Sequence, residues 1–363
     1  MIYKEYKGKQ LSQLGFGTMR LPVIDGHNSK IEEGEAIKMM EYAYEHGINY
    51  FDTAWGYHAG NAELVTGKVL KQYPRESFYL ADKFPGYDVA NFPKAKEIFE
   101  KQLEKCQVEY FDFFLLHNLC ELNIEEFLDP KYEIREYFLE QKKNGRIKHL
   151  GFSTHGNMET NRRFLEYYGD IMEFGQIQLN FMDYSFQKAG ELVELLAEYN
   201  SPVWVMEPLR GGTILDMASP EECFRFVQNV PGVTVILSGM SNMEQLKDNL
   251  RIFETEEELS AESWERMKNT LDEKVRKGSV PCTACNYCTP HCPQEINIPW
   301  MMELYTEHKA SGGGFIAPMA LDAIEEGKKP ADCIACGSCE AVCPQQIKIS
   351  EVLKDFTEIL KEK

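Results

Sequence analysis

Four ionisable residues in the N-terminal part of the chain lie in or just after short apolar runs. Asp52 and Tyr57 belong to NYFDTAWGY, Lys83 lies in FYLADKF, and His117 ends YFDFFLLH. A tyrosine hydroxyl has a pKa of about 10 and is a poor acid at neutral pH, but a neighbouring ammonium stabilises the phenolate and lowers that pKa. Asp52 would keep Lys83 charged and oriented, and His117 would hold a substrate oxygen against Tyr57. Such a group could protonate a carbonyl oxygen while a hydride arrives at the carbon.

Eight of the 11 cysteines form two runs with the same spacing, Cys-x2-Cys-x2-Cys-x3-Cys-Pro. This is the spacing of bacterial ferredoxins, in which the fourth cysteine of each run binds the other [4Fe–4S] cluster. The predicted ligands are therefore Cys282, Cys285, Cys288 and Cys343 for one cluster, and Cys333, Cys336, Cys339 and Cys292 for the other. Zinc is the alternative, but its paired knuckles give no role to the third cysteine or to Cys-Pro.

The ionisable residues need a fold that brings several strand ends together. From residue 14 to about residue 252, short apolar runs alternate with amphipathic helical stretches, and eight candidate strands can be counted. Nearly continuous apolar strands between helices indicate a parallel sheet that is buried on both faces. Eight such units fit an α/β fold of the (β/α)8 TIM barrel type, whose strands end at one mouth. An open doubly wound sheet is the alternative, but Gly15-Phe16-Gly17 does not continue as GxGxxG.

The composition changes abruptly near residue 276, where Cys, Pro and Gly become frequent. We therefore predict a barrel domain over residues 1–275, with a hairpin in the first ten residues that plugs its bottom. Residues 276–363 are predicted to form a small, mainly α-helical, dicluster ferredoxin-like domain. The long stretch between Cys292 and Cys333 is helix-like on both sides of SGGG, and in this it resembles the helical dicluster domains attached to larger redox enzymes.

Residues 11 to about 252 resemble the aldo-keto reductases. The resemblance depends on GFGTMRLP, on the five-residue spacing of Asp52 and Tyr57, on Lys83 in the third strand, and on LLH ending at His117. In that family these four positions form the catalytic tetrad and the tyrosine is the general acid. The resemblance therefore implies the same roles here, together with NADP(H) or NAD(H) extended across the barrel mouth.

The resemblance also implies which residues contact the cofactor. Ser153 and Gln176 match positions that hold the nicotinamide carboxamide, whereas Thr154 replaces the usual asparagine and Met206 replaces an aromatic residue that often stacks on the nicotinamide. The complete implied set is Gly17, Thr18, Ser153, Thr154, Gln176, Met206, Pro208, Leu209, Gly239, Gln245 and Asn249.

The choice between NADP and NAD stays open at this point. The family's basic residues at the adenosine phosphate fall on Gly239 and Gln245, and neither can pair with a 2′-phosphate. Lys247 or Arg210 are the candidates to replace them.

The identity of the substrate is not readable from the sequence. By position alone, the candidate pocket residues are Arg20, Trp55, His58 and Trp204. Core or surface packing explains each of these four at least as well. Cys106, Cys120 and Cys223 are interpreted as buried thiols.

The formal net charge of −19 argues against nucleic acid and anionic membranes as partners. The N-terminal MIYKEYKGKQ lacks the apolar segment of a secretory signal, and no apolar run reaches the length of a membrane span. We therefore expect a cytoplasmic protein, and in a reducing compartment the cysteine pattern favours metal over disulfides.

The favoured function is an NAD(P)H-dependent oxidoreductase that interconverts a small carbonyl compound and an alcohol. NAD(P)H gives two electrons together and a [4Fe–4S] cluster accepts one, so a flavin normally separates the pair. No strong flavin motif is present, and a flavin in the barrel mouth stays open. The alternatives are an electron-transfer enzyme that couples its substrate to a ferredoxin- or flavodoxin-like partner through the clusters, and a redox sensor with a vestigial barrel.

Overall fold

The protein is described by a computed structural model over residues 1–186 and 188–361. The chain begins with an antiparallel hairpin of β1 (Tyr3–Tyr6) and β2 (Lys9–Ser12). Lys7 and Gly8 join the strands with φ angles of 47° and 80°. Two left-handed residues in a two-residue loop match the natural twist of a hairpin.

Eight parallel strands then close into a barrel, which confirms the predicted (β/α)8 fold over the open sheet. They pair in chain order and the last closes on the first. The strands are β3 (Leu14–Gly17), β4 (Tyr50–Asp52), β5 (Tyr79–Phe84), β6 (Phe111–Leu119), β7 (Ile147–Thr154), β8 (Gly175–Gln178), β9 (Val203–Met206) and β10 (Val233–Gly239).

Amphipathic helices cover the outside of the barrel. The buried positions of one of them, residues 95, 98, 99, 102, 103 and 106, follow the three- and four-residue spacing of a helix with one apolar face. The helices of this part of the chain are α1 (Glu33–Glu45), α2 (Ala62–Leu70), α3 (Ala95–Cys106), α4 (Ile124–Leu128), α5 (Ile134–Lys143), α6 (Met158–Tyr168), α7 (Asp183–Phe186), α8 (Ala189–Glu198), α9 (Pro220–Gln228) and α10 (Met243–Ile252).

Large side chains fill the barrel interior, and the hairpin contributes two of them. Tyr6 and Leu11 belong to the same buried cluster as Phe113, Phe174 and Trp204. This confirms that the hairpin plugs the barrel. Trp204 is fully buried, with its ring centroid 4.6 Å from that of Phe174 and 5.1 Å from that of Tyr6. Because it packs in this core, the suggestion that Trp204 lines a substrate pocket is wrong.

Glu173 anchors the hairpin to the rest of the barrel. Its carboxylate pairs with Lys7 in the hairpin turn, with Lys142 at 2.5 Å and with His149 at 3.1 Å. The Tyr6 hydroxyl donates to the Glu173 backbone carbonyl at 3.2 Å. Burial alone would raise the pKa of Glu173, but the hydrogen bonds from His149, Lys142 and Lys7 outweigh it and hold that pKa well below the usual range.

The chain packs into two compact units. The first consists of Met1–Leu209 and Pro220–Leu259. The second consists of Arg210–Ser219 and of the chain from Ser260 onward. Its helices are α11 (Ala261–Gly278), α12 (Ile298–Ala310), α13 (Ile316–Asp322), α14 (Ser338–Ala341) and α15 (Ile349–Lys361). By packing, α11 therefore belongs to the second unit, whereas the predicted domain boundary lies near residue 276.

The second unit contains an internal repeat that the two cysteine runs mark. Each run has left-handed residues at three equivalent places, and a helix begins six residues after each fourth cysteine, at Ile298 and Ile349. The equivalent left-handed pairs are Ala284 and Ala335, Asn286 and Gly337, and Glu295 and Gln346. Both helices contribute to one apolar core around Met301, Leu353 and Phe356. Within the described residues, no helix has the length and apolar character that a membrane crossing requires.

The substitution Glu173→Gln keeps the shape of the side chain and removes the charge that three basic groups share. We expect it to lower the free energy of unfolding at neutral pH by about 1–3 kcal/mol. Because the folded-state pKa lies below the unfolded value of about 4.3, this stabilisation is complete above that value and is lost as the pH falls through the folded-state pKa. Urea unfolding curves at a series of pH values measure the difference between the wild type and the variant.

The control is Glu166→Gln on α6, at an exposed position, for which we expect a change within about 0.5 kcal/mol. A loss in Glu173→Gln that stays constant down to strongly acidic pH would contradict this account of Glu173.

Candidate active site and candidate cluster sites

The predicted tetrad residues converge at the C-terminal end of the barrel strands. Asp52 is the last residue of β4 and is buried. Tyr57 begins a turn over Tyr57–Gly60 in which His58, Ala59 and Gly60 have φ angles of 52°, 55° and 85°. Three successive left-handed residues are costly for side chains other than glycine, so the surrounding structure must hold this turn.

His58 is the residue that holds the turn on one side. The backbone N–H of Leu21 donates to His58 Nε2 at 3.2 Å, so Nδ1 carries the proton and donates to the carbonyl of Asn28 at 2.6 Å. His58 is therefore a buried structural histidine that fixes the position of Tyr57, and it does not line a substrate pocket.

The Lys83 ammonium lies at the centre of the site. Lys83 is fully buried in β5, and its Nζ forms an ion pair with Asp52 Oδ1. It also donates to the Thr53 carbonyl at 2.8 Å and to the Tyr57 hydroxyl at 3.4 Å. The three donor directions of the ammonium are thus directed at a carboxylate, a carbonyl and the phenol.

His117 faces the same phenol from β6. Its ring centroid lies 6.0 Å from that of Tyr57, and the two rings are nearly perpendicular at 84°. His117 Nδ1 is buried and has no hydrogen-bond partner among the described residues. Burial, followed by the charge of Lys83, holds the pKa of His117 well below its usual range, so the imidazole is neutral at pH 7.

Burial is the largest single influence on the pKa values of the other three tetrad residues. It raises the pKa of Tyr57, and the positive charge of Lys83 offsets only part of this effect. The predicted lowering of the tyrosine pKa is therefore wrong for the protein as the structure has it. Burial also raises the pKa of Asp52 against the influence of Lys83, whereas the charge of Asp52 more than offsets burial and raises the pKa of Lys83. The phenol stays protonated and the lysine stays charged.

Two carboxamide-binding candidates lie side by side on neighbouring strands. Ser153 of β7 is in register with Gln176 of β8. The Ser153 hydroxyl accepts the backbone N–H of Asn118 at 2.9 Å and keeps its own proton to donate. Gln176 Oε1 is buried without a partner among the described residues, while Nε2 lies 3.7 Å from the Met206 sulfur. A carboxamide requires one donor for its oxygen and one acceptor for its N–H group. The Ser153 hydroxyl and Gln176 Oε1 provide these two, so the residues fit the carboxamide of a nicotinamide.

Several of the other predicted cofactor residues make hydrogen bonds within the protein. Thr18 donates to the Asp52 carbonyl at 3.0 Å, and Thr154 donates to the Leu119 carbonyl at 3.2 Å. Gln245 Oε1 accepts from the N–H of Ser241 at 2.7 Å, and Asn249 Nδ2 donates to the Ser238 hydroxyl at 3.0 Å. Pro208 and Leu209 follow β9, and Leu209 is the last residue of its segment of the first unit.

A different cation from those predicted lies at the β3–β10 seam, where Gly17 pairs with Gly239. A Cβ placed on Gly239 would be 2.9 Å from Arg20 Cβ, so the arginine stem covers this glycine. The Arg20 guanidinium in turn pairs with Glu207 at 3.0 Å.

Of the two predicted substitutes for the phosphate-binding cation, one is paired with an acid and the other contacts an aromatic ring. Arg210 forms a buried ion pair with Glu307 inside the second unit. Lys247 lies 5.4 Å from the centroid of the Tyr42 ring.

Sequence reasoning missed Tyr87, which belongs to the active-site wall. Its ring meets the His117 ring edge to face at 5.5 Å, and a Cβ on Gly56 would lie 2.3 Å from its hydroxyl. Tyr87 follows Lys83 by four residues in DKFPGYD, so its position just after the third strand was the available signal. Of the remaining pocket candidates, Trp55 stacks against Lys105, whose Nζ is 4.5 Å from the ring centroid.

The eight cysteines of the second unit surround two cavities. Cys282, Cys285, Cys288 and Cys343 line one of about 340 Å³, and Cys292, Cys333, Cys336 and Cys339 line the other, of about 330 Å³. This is the grouping that the spacing predicts, with each fourth cysteine exchanged between the runs. Over residues 1–186 and 188–361, no set of three or more His, Cys, Asp or Glu side chains is arranged to hold a metal ion; the thiols instead lie around the walls of the cavities.

The walls of both cavities fit an iron–sulfur cluster. Ile298 lines both, and Met302 and Ile347 line the first, so apolar groups shield the thiols. Ala284 and Ala335 take left-handed conformations just before the second cysteine of each run. Such residues turn successive backbone N–H groups inward, as in known anion-binding and iron–sulfur loops.

Comparison with known proteins supports the predicted identity of both parts of the chain. Residues 13–222 match the aldo/keto reductase family, and residues 281–348 match the 4Fe-4S dicluster domain. The chain belongs to the aldo-keto reductase family.

Individual relatives of this aldo-keto reductase are distant. A probable aldo-keto reductase 1 of Glycine max is 35% identical over 159 residues, which is 40% of this chain and 42% of that protein. An NADH-specific methylglyoxal reductase of Escherichia coli (strain K12) is 24% identical over 221 residues, 56% of this chain and 65% of that one. The chain thus spans less than two thirds of either protein.

Solved structures share the fold. The holo form of an aldo-keto reductase from Bacillus halodurans has a TM-score of 0.59 at 23% identity, covering 74% of this chain and 96% of that one. An aldo-keto reductase from Klebsiella pneumoniae in complex with NADPH has a TM-score of 0.59 at 19% identity, covering 74% and 95%.

The exchanged fourth cysteine gives a direct prediction. After anaerobic reconstitution we expect about eight irons and eight sulfides per chain, and about four of each in Cys343→Ala, because the cluster held by the first run loses a ligand. Iron and sulfide analysis with electron paramagnetic resonance measures this. If Cys343→Ala instead keeps the cluster of the first run and loses the signal of the cluster bound by the second run, each run binds its own cluster.

The matched control is Cys223→Ala, because Cys223 is a buried thiol of α9 and lines neither cavity. We expect this variant to keep the full iron and sulfide content.

Proposed function

We propose that this aldo-keto reductase reduces a small carbonyl compound to an alcohol with a nicotinamide cofactor, and that Tyr57 is the general acid. The observation that supports this most directly is the contact of one buried ammonium, Lys83, with Asp52 and with the Tyr57 hydroxyl at 3.4 Å. A protonated phenol beside a fixed positive charge is suited to give its proton to an oxygen on which negative charge develops.

Each member of the site has a distinct part in this reaction. Tyr57 donates its proton to the carbonyl oxygen, and Lys83 then stabilises the phenolate until solvent returns the proton. Asp52 keeps the ammonium in place, since an unpaired buried lysine would lose its charge. His117 is neutral, so it can donate one hydrogen bond to the same substrate oxygen and hold it against Tyr57.

We propose that Ser153 and Gln176 hold the carboxamide of the nicotinamide, with Gln176 Oε1 accepting from its amide N–H and the Ser153 hydroxyl donating to its oxygen. When bound, the reduced cofactor supplies the hydride that the substrate carbon receives. Gly239 and Gln245 bear no charge, Arg20 is paired with Glu207, and Arg210 is paired with Glu307. These four positions offer no unpaired cation to a 2′-phosphate, and Lys247 lies against the Tyr42 ring. Because the Escherichia coli relative is also named as NADH-specific, we propose NADH as the preferred donor.

The Tyr57→Phe substitution removes the proton donor and keeps the ring. We expect kcat for reduction of methylglyoxal or another small aldehyde to fall by about 100-fold or more, within the range that general acid catalysis contributes. Nucleotide binding, followed by quenching of protein fluorescence, should stay close to that of the wild type. Equal turnover by the wild type and Tyr57→Phe would remove the support for this function.

Protonation of the site predicts the pH dependence of reduction. Burial keeps the pKa of Tyr57 above its ordinary value and that of His117 well below its ordinary value, so both active forms persist around neutrality. We expect kcat to be flat between about pH 6 and pH 9 and to fall only where Tyr57 begins to ionise. Stopped-flow reduction at saturating NADH measures kcat at each pH. A change in kcat around pH 7 would contradict the assigned protonation states of Tyr57 and His117.

A second candidate function is electron transfer through the second unit, favoured by its two cavities of four cysteines each. In that case the barrel substrate would exchange electrons with a ferredoxin- or flavodoxin-like partner. Anaerobic addition of substrate and nicotinamide to the reconstituted protein distinguishes the two functions. Bleaching of the cluster absorbance supports electron transfer, whereas unchanged absorbance during full turnover excludes the clusters from the reaction.

A further inference from the structure

A second group of ionisable side chains lies directly behind the active-site lysine. Asp82 precedes Lys83 in β5, and its side chain points to the opposite side of the strand, because side chains alternate along a strand. There it is buried with Glu63 of α2, and the two carboxyl groups are within hydrogen-bonding reach of each other. Two residues of α3, Gln102 and Cys106, complete the surroundings, and the Cys106 sulfur lies 3.7 Å from Asp82 Oδ2.

The group provides hydrogen-bond partners for the backbone N–H and C=O of Lys83, which have none in the sheet ladder on that side. The β4–β5 ladder ends at the pair Asp52 and Ala81, so the N–H and C=O of Lys83 on that side lie beyond it. Asp82 Oδ1 accepts the Lys83 N–H at 2.8 Å, and Gln102 Nε2 donates to the Lys83 carbonyl at 2.9 Å. Buried backbone groups need such partners, so these two side chains fix the peptide that carries the central ammonium.

The same group also reaches the turn that carries Tyr57. Glu63 forms an ion pair with Lys105 of α3. Lys105 Nζ lies 4.5 Å from the centroid of the Trp55 ring, and a Cβ placed on Gly60 would be 3.3 Å from it. Trp55 and Gly60 lie on either side of Tyr57 in the chain. One ammonium therefore packs against Gly60, the last residue of the left-handed turn, and against Trp55, two residues before Tyr57.

The charges of the group do not balance if both acids are ionised. Glu63 and Asp82 are both wholly buried, and Lys105 is the cation that pairs with Glu63, while Lys83 pairs with Asp52 on the far side of the strand. Burial raises the pKa of both carboxyl groups, and the charge of Glu63 raises that of Asp82 further. The Cys106 thiol stays protonated, because burial raises its pKa as well. Glu63 Oε1 is a buried acceptor without a partner among the described residues, and a proton shared with Asp82 would supply a donor to the Glu63 carboxyl group.

We propose that Glu63 and Asp82 share one proton and, together with Lys105, act as a positioning group that fixes Lys83 and the Tyr57 turn for the reaction. This inference rests on the proposed function, since it assigns the group a part in the same proton transfer. Its members act without touching the substrate. Their effect on the reaction is transmitted through the Lys83 peptide and through Trp55 and Gly60.

The test compares two substitutions of the same residue. Asp82→Asn reproduces the protonated acid, because its amide oxygen accepts the Lys83 N–H and its amide N–H donates to Glu63. Asp82→Leu has a similar shape and can do neither. We expect Asp82→Asn to keep kcat within about threefold of the wild type, whereas Asp82→Leu should lose at least about tenfold in kcat, the order of loss that a small misplacement of catalytic groups causes. The dissociation constant for NADH should change little in either.

The matched control is Asp112→Leu in the neighbouring strand β6, whose carboxylate supports the beginning of β5. Asp112 is also buried, accepts the N–H of Leu80 at 3.0 Å and pairs with Arg75 at 2.7 Å. It supports β5 in the same way but away from Lys83. We expect Asp112→Leu to lower the melting temperature without the loss of kcat per folded molecule that Asp82→Leu shows. If Asp112→Leu lowers kcat equally, the effect is general strand stability and the proposal is wrong.

Two further measurements report on the group without turnover. The infrared difference spectrum of wild type minus Asp82→Asn at pH 7 should contain the C=O band of a protonated carboxyl group, and its absence would overturn the shared proton. Hydrogen exchange of the Lys83 amide should be slow in the wild type and in Asp82→Asn and fast in Asp82→Leu; slow exchange in all three would overturn the positioning role.

Tyr57→Phe assayed in parallel separates this inference from the proposed function. If Tyr57→Phe retains full turnover, the proposed function fails, and with it the catalytic role of the group. If Tyr57→Phe loses turnover and Asp82→Leu keeps it, the function stands and the positioning role alone is wrong. Should Asp82→Asn lose as much kcat as Asp82→Leu, an ionised Asp82 is required and the shared proton is wrong.

Discussion

A single buried ammonium organises the active-site half of this protein. Removing a lysine charge from water costs several kcal/mol even after relaxation, and Lys83 has no exposure to solvent. The ion pair with Asp52 and the hydrogen bond to the Thr53 carbonyl offset that cost. Both partners come from the end of β4, which must therefore lie beside β5. The parallel barrel provides this neighbourhood, and the third donor of the ammonium is left for Tyr57.

The rest of the site can be understood as support for that geometry. The Tyr57 turn contains three left-handed residues, and it is held by His58 on one side and by Lys105 on the other. Asp82 and Gln102 hold the Lys83 peptide beyond the end of the sheet ladder. Polar groups that are buried this deeply stabilise one arrangement only when all of them find partners. Among the buried polar atoms without a partner in the described residues, the Gln176 oxygen and the His117 nitrogen lie where ligands are proposed to bind.

The second unit is organised around cysteine thiols and not around a buried ammonium. It is built from a duplicated loop and helix, and its apolar core adjoins two cavities whose walls present four thiols each. The barrel suits chemistry in which two electrons move as hydride, while the cysteine cavities suit single-electron steps. The segment Arg210–Ser219, which follows the barrel strand β9 in the chain, packs within the second unit and pairs Arg210 with Glu307. That pairing removes Arg210 from the residues that could bind a cofactor phosphate.

The sequence by itself determined the eight strands, the four residues that meet at their ends, and the division of the cysteines between two sites. These features follow from local periodicity, from chain order and from the spacing of a repeated motif. They do not depend on which residues distant in the sequence pack against each other. Only the tertiary structure decided that Trp204 belongs to the core, that Tyr87 borders His117, and that Arg20 covers Gly239. It also reversed the predicted shift of the Tyr57 pKa, because desolvation depends on everything packed around a group and one neighbouring charge does not settle it. The pairing of Glu63 with Asp82 was equally invisible in the sequence, since nothing local indicates that an acid in a helix will meet an acid in a strand inside the protein.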